Sequence, residues 1–396
     1  MKNNSTINNK IPQLRFPGFT GDWEEKPFDG ICHTITPPLK LQSSQYSSSG
    51  KFPIVDQSQT LICGWTNDPS GLLRNAPYII FGDHTCVLKY IDFPFIQGAD
   101  GVKILGSNKK DNSKFIYQLL LSNPVKQDGY KRHFSDLKEK VFLLPPTLEE
   151  QTKIAECLSS IDEIISVEES KVASLKAHKK GLMQQLFPQP GTTTPALRFP
   201  GFTGEWQEKP LCSLAAKVNQ KNKDFAVTRV LTNSATEGVV DQNAYFERDI
   251  AVKDNTNNYY IVNKDDFVYN PRISSTAPVG PISINKVGKG IMSPLYTVFK
   301  FQKGHIAFFE QYFQTEIWHP YLKSIANFGA RFDRMNITTD GFFNMPLFVP
   351  SIEEQQKIAE CLETLDNLIT AESKKLESLK AHKKGLMQQL FPQPVK

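Results

Sequence analysis

The segment SLKAHKKGLMQQLFPQP stands at Ser174–Pro190 and again, unchanged, at Ser378–Pro394. Each copy closes a longer stretch, Thr147–Pro190 and Ser351–Pro394, that reads as one long helix. Each stretch opens just after a proline with a hydroxyl followed three residues later by Glu (Thr147-Leu148-Glu149-Glu150 and Ser351-Ile352-Glu353-Glu354), the pattern of a capping box. Each stops at Phe-Pro (Phe187-Pro188 and Phe391-Pro392), because proline restricts the residue before it and cannot continue the hydrogen-bond ladder.

Within each copy the apolar residues alternate by four and three. The first gives Ile154, Leu158, Ile161, Ile165, Val172, Leu175, Leu182 and Leu186; the second gives Ile358, Leu362, Leu365, Ile369, Leu376, Leu379, Leu386 and Leu390. Sustained spacing of this kind is a coiled-coil seam, and roughly forty residues at 1.5 Å each make a rod of about 60 Å. Two polar gaps interrupt each seam: Glu168 and Lys179, then Glu372 and Lys383. An antiparallel pair centred between the gaps sets Glu168 opposite Lys383 and Lys179 opposite Glu372.

A second repeat marks the start of each half. LRFPGFTGDWEEKP at Leu14–Pro27 returns as LRFPGFTGEWQEKP at Leu197–Pro210. The Gly-Phe-Thr-Gly-acid-Trp run is a turn carrying two aromatics, suited to anchoring one segment on another. The chain of 396 residues therefore reads as a polar arm (1–12), a first body with its aromatic box (13–146), a long helix (147–187), a Pro/Thr-rich linker (188–196), a second body with its box (197–350), a second long helix (351–391) and a tail (392–396). The fold class expected is α+β: two mixed bodies separated by two long helices packed as an antiparallel coiled coil, with an internal pseudo-twofold repeat.

The bodies do not match each other in sequence. In the first, strands are expected at Tyr78–Phe81, Val102–Leu105 and Val141–Leu144, with a helix near Ser113–Ser122. In the second, strands are expected at Phe225–Leu231, Tyr259–Val262, Phe267–Tyr269 and Tyr296–Phe301, with a helical run from about His305 to Asn327. Near-identical frames around different inserts suit a frame that meets one constant partner twice while the inserts read two different things.

The net charge of +5 is compatible with an anionic partner. The six cysteines show neither a C-x-x-C pair nor zinc spacing and read as reduced thiols of a cytoplasmic protein. The N-terminal stretch lacks the apolar core of a signal peptide, and no run approaches a membrane span. No G-x-G-x-x-G, Walker, G-x-S-x-G or H-E-x-x-H pattern occurs, and Asn270-Pro271-Arg272-Ile273 lacks the second proline and aromatic of an adenine methyltransferase motif. The histidines show no metal spacing, so no metal is expected, and a catalytic role is disfavoured.

Binding chemistry remains. Tyr130, Lys131, Arg132 and His133 precede Phe134 in one basic turn; Arg331 and Arg334 flank Phe332-Asp333 in another; Asn270 and Arg272 form a third set, and His84, Lys89 and Tyr90 a weaker fourth. Arginine forks onto guanine or phosphate, and asparagine onto adenine.

The chain resembles the specificity (S, HsdS) subunits of type I restriction–modification systems. The resemblance rests on the doubled frame, LEEQTKIAECL and IEEQQKIAECL opening each helix and SLKAHKKGLMQQLFPQP closing it. It extends to GYKRHFSDLKE, GARFDRMNI, FGDHT, GADGVKIL and DFVYNPR…SPLYTVFK within the bodies. It implies that each body reads one half of a bipartite, asymmetric double-stranded DNA site and that the helices set the unread spacer. It implies two modification subunits carrying S-adenosylmethionine, and restriction subunits using ATP and Mg, with no cofactor and no catalysis on this chain. A coiled-coil protein scaffold without sequence-specific DNA binding, and a stand-alone enzyme with a divergent site, are the competing readings.

Overall fold

The computed structural model describes residues 10–129, 131–246, 256–327 and 333–392. The chain divides into two compact units, one made of residues 1–170 and 373–396, the other of residues 171–372. The unit boundaries cut through both long helices, so each unit owns the start of one helix and the end of the other.

Unit 1 contains β1 (Glu24–Pro27), α1 (Phe28–Ile31), β2 (Cys32–Ile35), β3 (Phe52–Val55), β4 (Gly64–Thr66), β5 (Leu72–Leu73), β6 (Tyr78–Gly82), β7 (Leu88–Ile91), β8 (Phe95–Gln97), β9 (Val102–Ser107), α2 (Ser113–Ser122), α3 (Phe134–Lys138), β10 (Val141–Leu144) and the first part of α4 (Leu148–Leu186). Unit 2 contains the end of α4, then β11 (Gln207–Pro210), β12 (Ala215–Lys217), β13 (Leu231–Ser234), β14 (Gly238–Asp241), α5 (Gln242–Phe246), β15 (Tyr260–Val262), β16 (Phe267–Tyr269), β17 (Ile282–Ile284), β18 (Gly290–Met292), β19 (Thr297–Phe301), α6 (Ile306–Tyr312), α7 (His319–Ile325), α8 (Thr339–Phe343), β20 (Pro346–Val349) and the start of α9 (Ile352–Leu390). The end of α9 belongs to unit 1.

Although the two bodies share little sequence, they share a topology. Each holds a four-stranded antiparallel sheet of the same order, β2-β9-β6-β7 in unit 1 and β12-β19-β16-β17 in unit 2. Each also pairs the strand that closes the aromatic box with the strand before the long helix, β1 with β10 and β11 with β20. They differ beside that sheet: unit 1 adds the mixed sheet β4-β3-β8-β5, and unit 2 the ribbons β13-β14 and β15-β18. Two expected elements change. Phe225–Leu231 is a loop up to residue 230, with Phe225 at φ 52°, because the Asn222 side chain bonds both the N–H and the carbonyl of Val227. The helical run after His305 breaks into α6 and α7.

The aromatic boxes explain where the helices end. In unit 1 the buried Trp23 packs on Phe391 at 6.3 Å, and Phe115 of α2 packs on the same ring at 5.6 Å. In unit 2 Trp206 and Phe308 of α6 meet Phe187 at 6.1 and 5.5 Å. The Leu14 amide donates to the carbonyl of Gln389, and Leu197 likewise to Gln185. Thr147 and Ser351 cap their helices by accepting from the amides of Glu150 and Glu354. The glutamates do not close a capping box. Each turns instead to the arginine of its box, Arg15 to Glu150 (2.8 and 2.8 Å) and Arg198 to Glu354 (2.8 and 2.6 Å). The other N–H groups of those arginines reach the carbonyls of Gly21 and Gly204, glycines at φ 84° and 80° that only a residue without Cβ adopts freely.

Each helix is 39 residues long, about 58 Å at 1.5 Å per residue. Within each unit the two helices run antiparallel, since partner numbers fall on one as they rise on the other: Asp162 meets Lys383 and Glu168 meets Lys375 in unit 1, and Lys171 meets Glu372 and Lys179 meets Asp366 in unit 2. The expected facing pairs, Glu168 with Lys383 and Lys179 with Glu372, do not form; the register lies about one heptad away. A seam that repeats every seven residues permits either setting, and the docking of Phe391 and Phe187 in the boxes selects this one. Ile154, Leu158, Val172, Leu186, Ile358, Leu362, Leu376 and Leu390 are buried, whereas Ile161, Ile165, Leu175, Leu182, Leu365, Ile369, Leu379 and Leu386 are half-buried. The first and last turns of the helices thus enter the cores of the bodies, and Leu182 and Leu386 pack against those cores from the side.

Candidate nucleic-acid interface

In unit 1 the central strand β6 ends in a tight turn, and the basic turn before α3 lies against it. Asp83, almost wholly buried, fixes the contact. Its amide donates to the carbonyl of Gly101 (2.6 Å), its carbonyl accepts from His133 N–H (2.7 Å), and its carboxylate accepts from Phe134 N–H (2.8 Å). His84 Nδ1 donates to the carbonyl of Lys131 at 3.1 Å. Lys131 and Arg132 then stand exposed, with Lys131 Nζ 3.3 Å from Asp136. His133 and Lys131 together hold the Asp136 carboxyl below its usual pKa range. Lys103 and Lys138 place their ammonium groups 5.3 and 5.8 Å from the Phe134 ring.

Unit 2 repeats this relation with different residues. The turn leaving β16, the counterpart of β6, meets the segment before α8, the counterpart of α3. Ile273 N–H donates to the carbonyl of Asp333, and Met335 N–H to that of Pro271, each at 3.0 Å, so that Arg272 and Arg334 become bridge partners. Asp333 lies between their guanidinium groups, 3.5 Å from Arg272 Nε and 4.0 Å from Arg334 Nε. A cleft of about 430 Å³ opens beside Arg334, floored by Tyr269 and Phe342, whose rings stack at 4.9 Å.

The structure sorts the residues singled out above. It gathers His84, Lys131 and Arg132 in one body, and Arg272 and Arg334 in the other. Three are withdrawn from the surface or spoken for. The His133 ring is fully buried and turned to Asp136 at 3.3 Å, because its backbone is drawn in by Asp83. Lys89 is 5% exposed and donates to the carbonyls of Asp56 and Thr60 (2.7 and 2.6 Å), closing a loop over the sheet, and burial lowers its pKa. Asn270 spends its amide inside the body, donating to the Asn233 carbonyl and accepting from Arg272 N–H, so it is not poised to read adenine. Tyr130 and Arg331 lie outside the described residues. Asp83 escaped the sequence reading although it sits inside the FGDHT segment; an acid at the end of an apolar strand was its only signal. Among the described residues no group of His, Cys, Asp and Glu could hold a metal, and no helix is long and apolar enough to cross a membrane.

The sequence pattern described as the type I restriction modification DNA specificity domain matches residues 20–177 and again residues 206–381. The chain belongs to that family. Each match takes in one body and most of the long helix that follows it. Relatives in the specificity family include the putative type I restriction enzyme MjaX specificity subunit of Methanocaldococcus jannaschii, 24% identical over 294 residues (70% of this chain, 64% of that protein). The MjaVIII specificity subunit of the same organism is 24% identical over 319 residues (75% and 73%). The EcoR124I/EcoR124II specificity subunit of Escherichia coli is 25% identical over 150 residues (35% and 37%). The chain thus spans under two thirds of the length of the first of these. Its fold is similar to that of the S subunit of a type I restriction-modification system from M. genitalium, with a TM-score of 0.63 and 16% identity over 97% of this chain and 100% of that one.

Proposed function

We propose that the chain is the DNA-specificity subunit of a type I restriction–modification complex, and that each body reads one half of a bipartite, asymmetric site. The observation that carries this reading is the doubled cationic turn. Two bodies of unlike sequence bring exposed lysine or arginine to the same place, where the turn leaving the central strand meets the segment before the last short helix. Arg132 in one body and Arg272 with Arg334 in the other are the residues proposed to meet base edges; Lys131 and Lys103 are proposed to meet phosphate. The long helices set the unread spacer. Two readers that enter successive major grooves on one face stand about 34–36 Å apart, a span within the length of either helix.

The frame is proposed to dock two modification subunits. Exposed apolar side chains recur at equivalent places in the two copies, Leu148 with Ile352 and Ile164 with Leu368, as a surface used twice by one kind of partner requires. S-adenosylmethionine, ATP and Mg belong to the modification and restriction subunits, and this chain supplies specificity without catalysis.

The test is a methylome. The chain is expressed with its modification partner in a host lacking adenine methylation, and native DNA is sequenced. N6-methyladenine in a two-part motif with a fixed gap is the expected result. A stable complex on a sizing column without any new motif would overturn the reading and leave a protein scaffold in its place.

A further inference from the structure

At one point in each unit, three elements meet through one carboxylate. In unit 1, Asp162 of α4 accepts from Gln118 of the body helix α2 at 3.0 Å and from Lys383 of α9 at 2.6 and 2.8 Å. In unit 2, Asp366 of α9 accepts from Gln311 of α6 at 2.8 Å and from Lys179 of α4 at 2.6 and 2.8 Å. The glutamines are 2% and 1% exposed. The two bodies, so different elsewhere, carry the same short pattern here, Phe115-x-x-Gln118 and Phe308-x-x-Gln311, with each Phe packed on the terminal ring of a long helix.

Net stability is a poor account of these glutamines. In both, the side-chain carbonyl oxygen is buried without a hydrogen-bond partner among the described residues, an uncompensated cost. A methionine of similar size would fill the same space without it. What an amide adds is direction: one N–H aimed at one carboxylate oxygen. In some proteins buried polar contacts serve registry rather than strength. The seam needs registry, because its seven-residue repeat also accepts a setting about one heptad away.

We propose that Gln118 and Gln311 are positioning residues. Each fixes the orientation of its body on the helical pair, and so the phase in which the body presents its cationic turn to DNA. The proposal rests on the specificity reading above. The lysine of the opposite helix neutralises the carboxylate, and the glutamine ties the body to that neutralised pair, so body, own helix and opposite helix are set by one junction.

The experiment uses the full chain with its modification partner and reads both the methylome and the thermal unfolding of the complex. Gln118→Met should unfold no earlier than the native chain. It should nonetheless lower methylation at the native gap by about tenfold, the population ratio sustained by a hydrogen bond to a charged group, with new signal at gaps one base pair longer or shorter. Gln118→Glu should be worse, since it sets a second carboxylate beside Asp162. Adding Asp162→Asn should restore the native gap, because the hydrogen bond is then remade with its polarity reversed and the junction again holds a single carboxylate. Gln118→Met methylating the native gap at the native level, or a double variant no better than Gln118→Glu, overturns the proposal while the specificity reading stands. A silent native chain strikes the specificity reading first, so the two failures are distinct.

Discussion

Lys383 lays its ammonium against both carboxylate oxygens of Asp162, at 2.6 and 2.8 Å, reaching from one long helix to the other. Lys179 does the same to Asp366. The lysines are largely covered, and each carboxylate keeps 40% of its side-chain surface. These pairs therefore sit between the surface and interior regimes, where burial sharpens a charge interaction and water still weakens it.

Reversal of one charge should show this. Lys383→Glu is expected to destabilise by about 2 kcal/mol, between the values for an exposed and a buried pair. Asp162→Lys added to it should recover at least half of that loss. A thermal double-mutant cycle reads the coupling, and its absence would mean that Lys383 is placed by packing alone.

The box contacts are more deeply buried. Glu150 is 1% exposed and is held by Arg15 and by the indole Nε1–H of Trp23 at 3.3 Å. Arg15→Ala leaves a buried carboxylate with little to neutralise it and is expected to cost about 3–5 kcal/mol. Replacing Arg15 and Glu150 together by Met should cost less than that single change, because no charge is then stranded. Thermal unfolding of the three variants decides it, and a double variant worse than Arg15→Ala would refute the electrostatic account.

His319 gives unit 2 a pH dependence. Burial lowers its pKa below the ordinary 6.5, with Glu316 opposing and Lys323 assisting, and its ring meets Trp318 at 4.4 Å. The unfolded chain therefore binds the proton more readily than the folded one. The stability associated with neutral His319 is complete above pH 6.5 and is lost as pH falls through the lowered value. His319→Asn should flatten the slope of melting temperature against pH just below 6.5, while an unchanged slope would place its origin in other groups.

Why some of this was legible in the sequence and some not follows from where each signal resides. The long helices, their caps and the direction of their packing are written in the repeat. The register is not, because Glu168 and Lys179 find acceptable partners in two settings of the seam, and contacts with the bodies, the seating of Phe391 and Phe187 in the boxes among them, separate the two. The common topology of the bodies is hidden because strands such as β6 and β16 need only be apolar to be buried. His133, Lys89 and Asn270 looked like binders because residue type does not reveal which way a turn folds; Asp83, Asp56 and Asn233 turn them inward. Gln118, Gln311, Asp162 and Asp366 passed as ordinary polar residues. Their signal was the paired Phe-x-x-Gln, recurring 193 residues apart after a strand in each body.

The two arginine sets should separate by half-site. Arg132 is exposed and has no ion-pair partner among the described residues, so Arg132→Ala should leave the fold alone. If it reads a base, the change relaxes one position in one half of the motif, worth about 1–3 kcal/mol of discrimination. Arg334 differs, because Asp333 stands against both it and Arg272 and would compete with DNA for them if they bind it as proposed. Arg334→Ala should relax only the other half. Asp333→Asn should act in the opposite sense, freeing both guanidinium groups and tightening DNA of any sequence, with a steeper dependence on salt. Filter binding of the complex at two salt concentrations, on the native duplex and on duplexes altered in either half, distinguishes these outcomes. If Arg132→Ala and Arg334→Ala weaken every duplex equally, both arginines hold phosphate, and the base readers lie elsewhere in the turns.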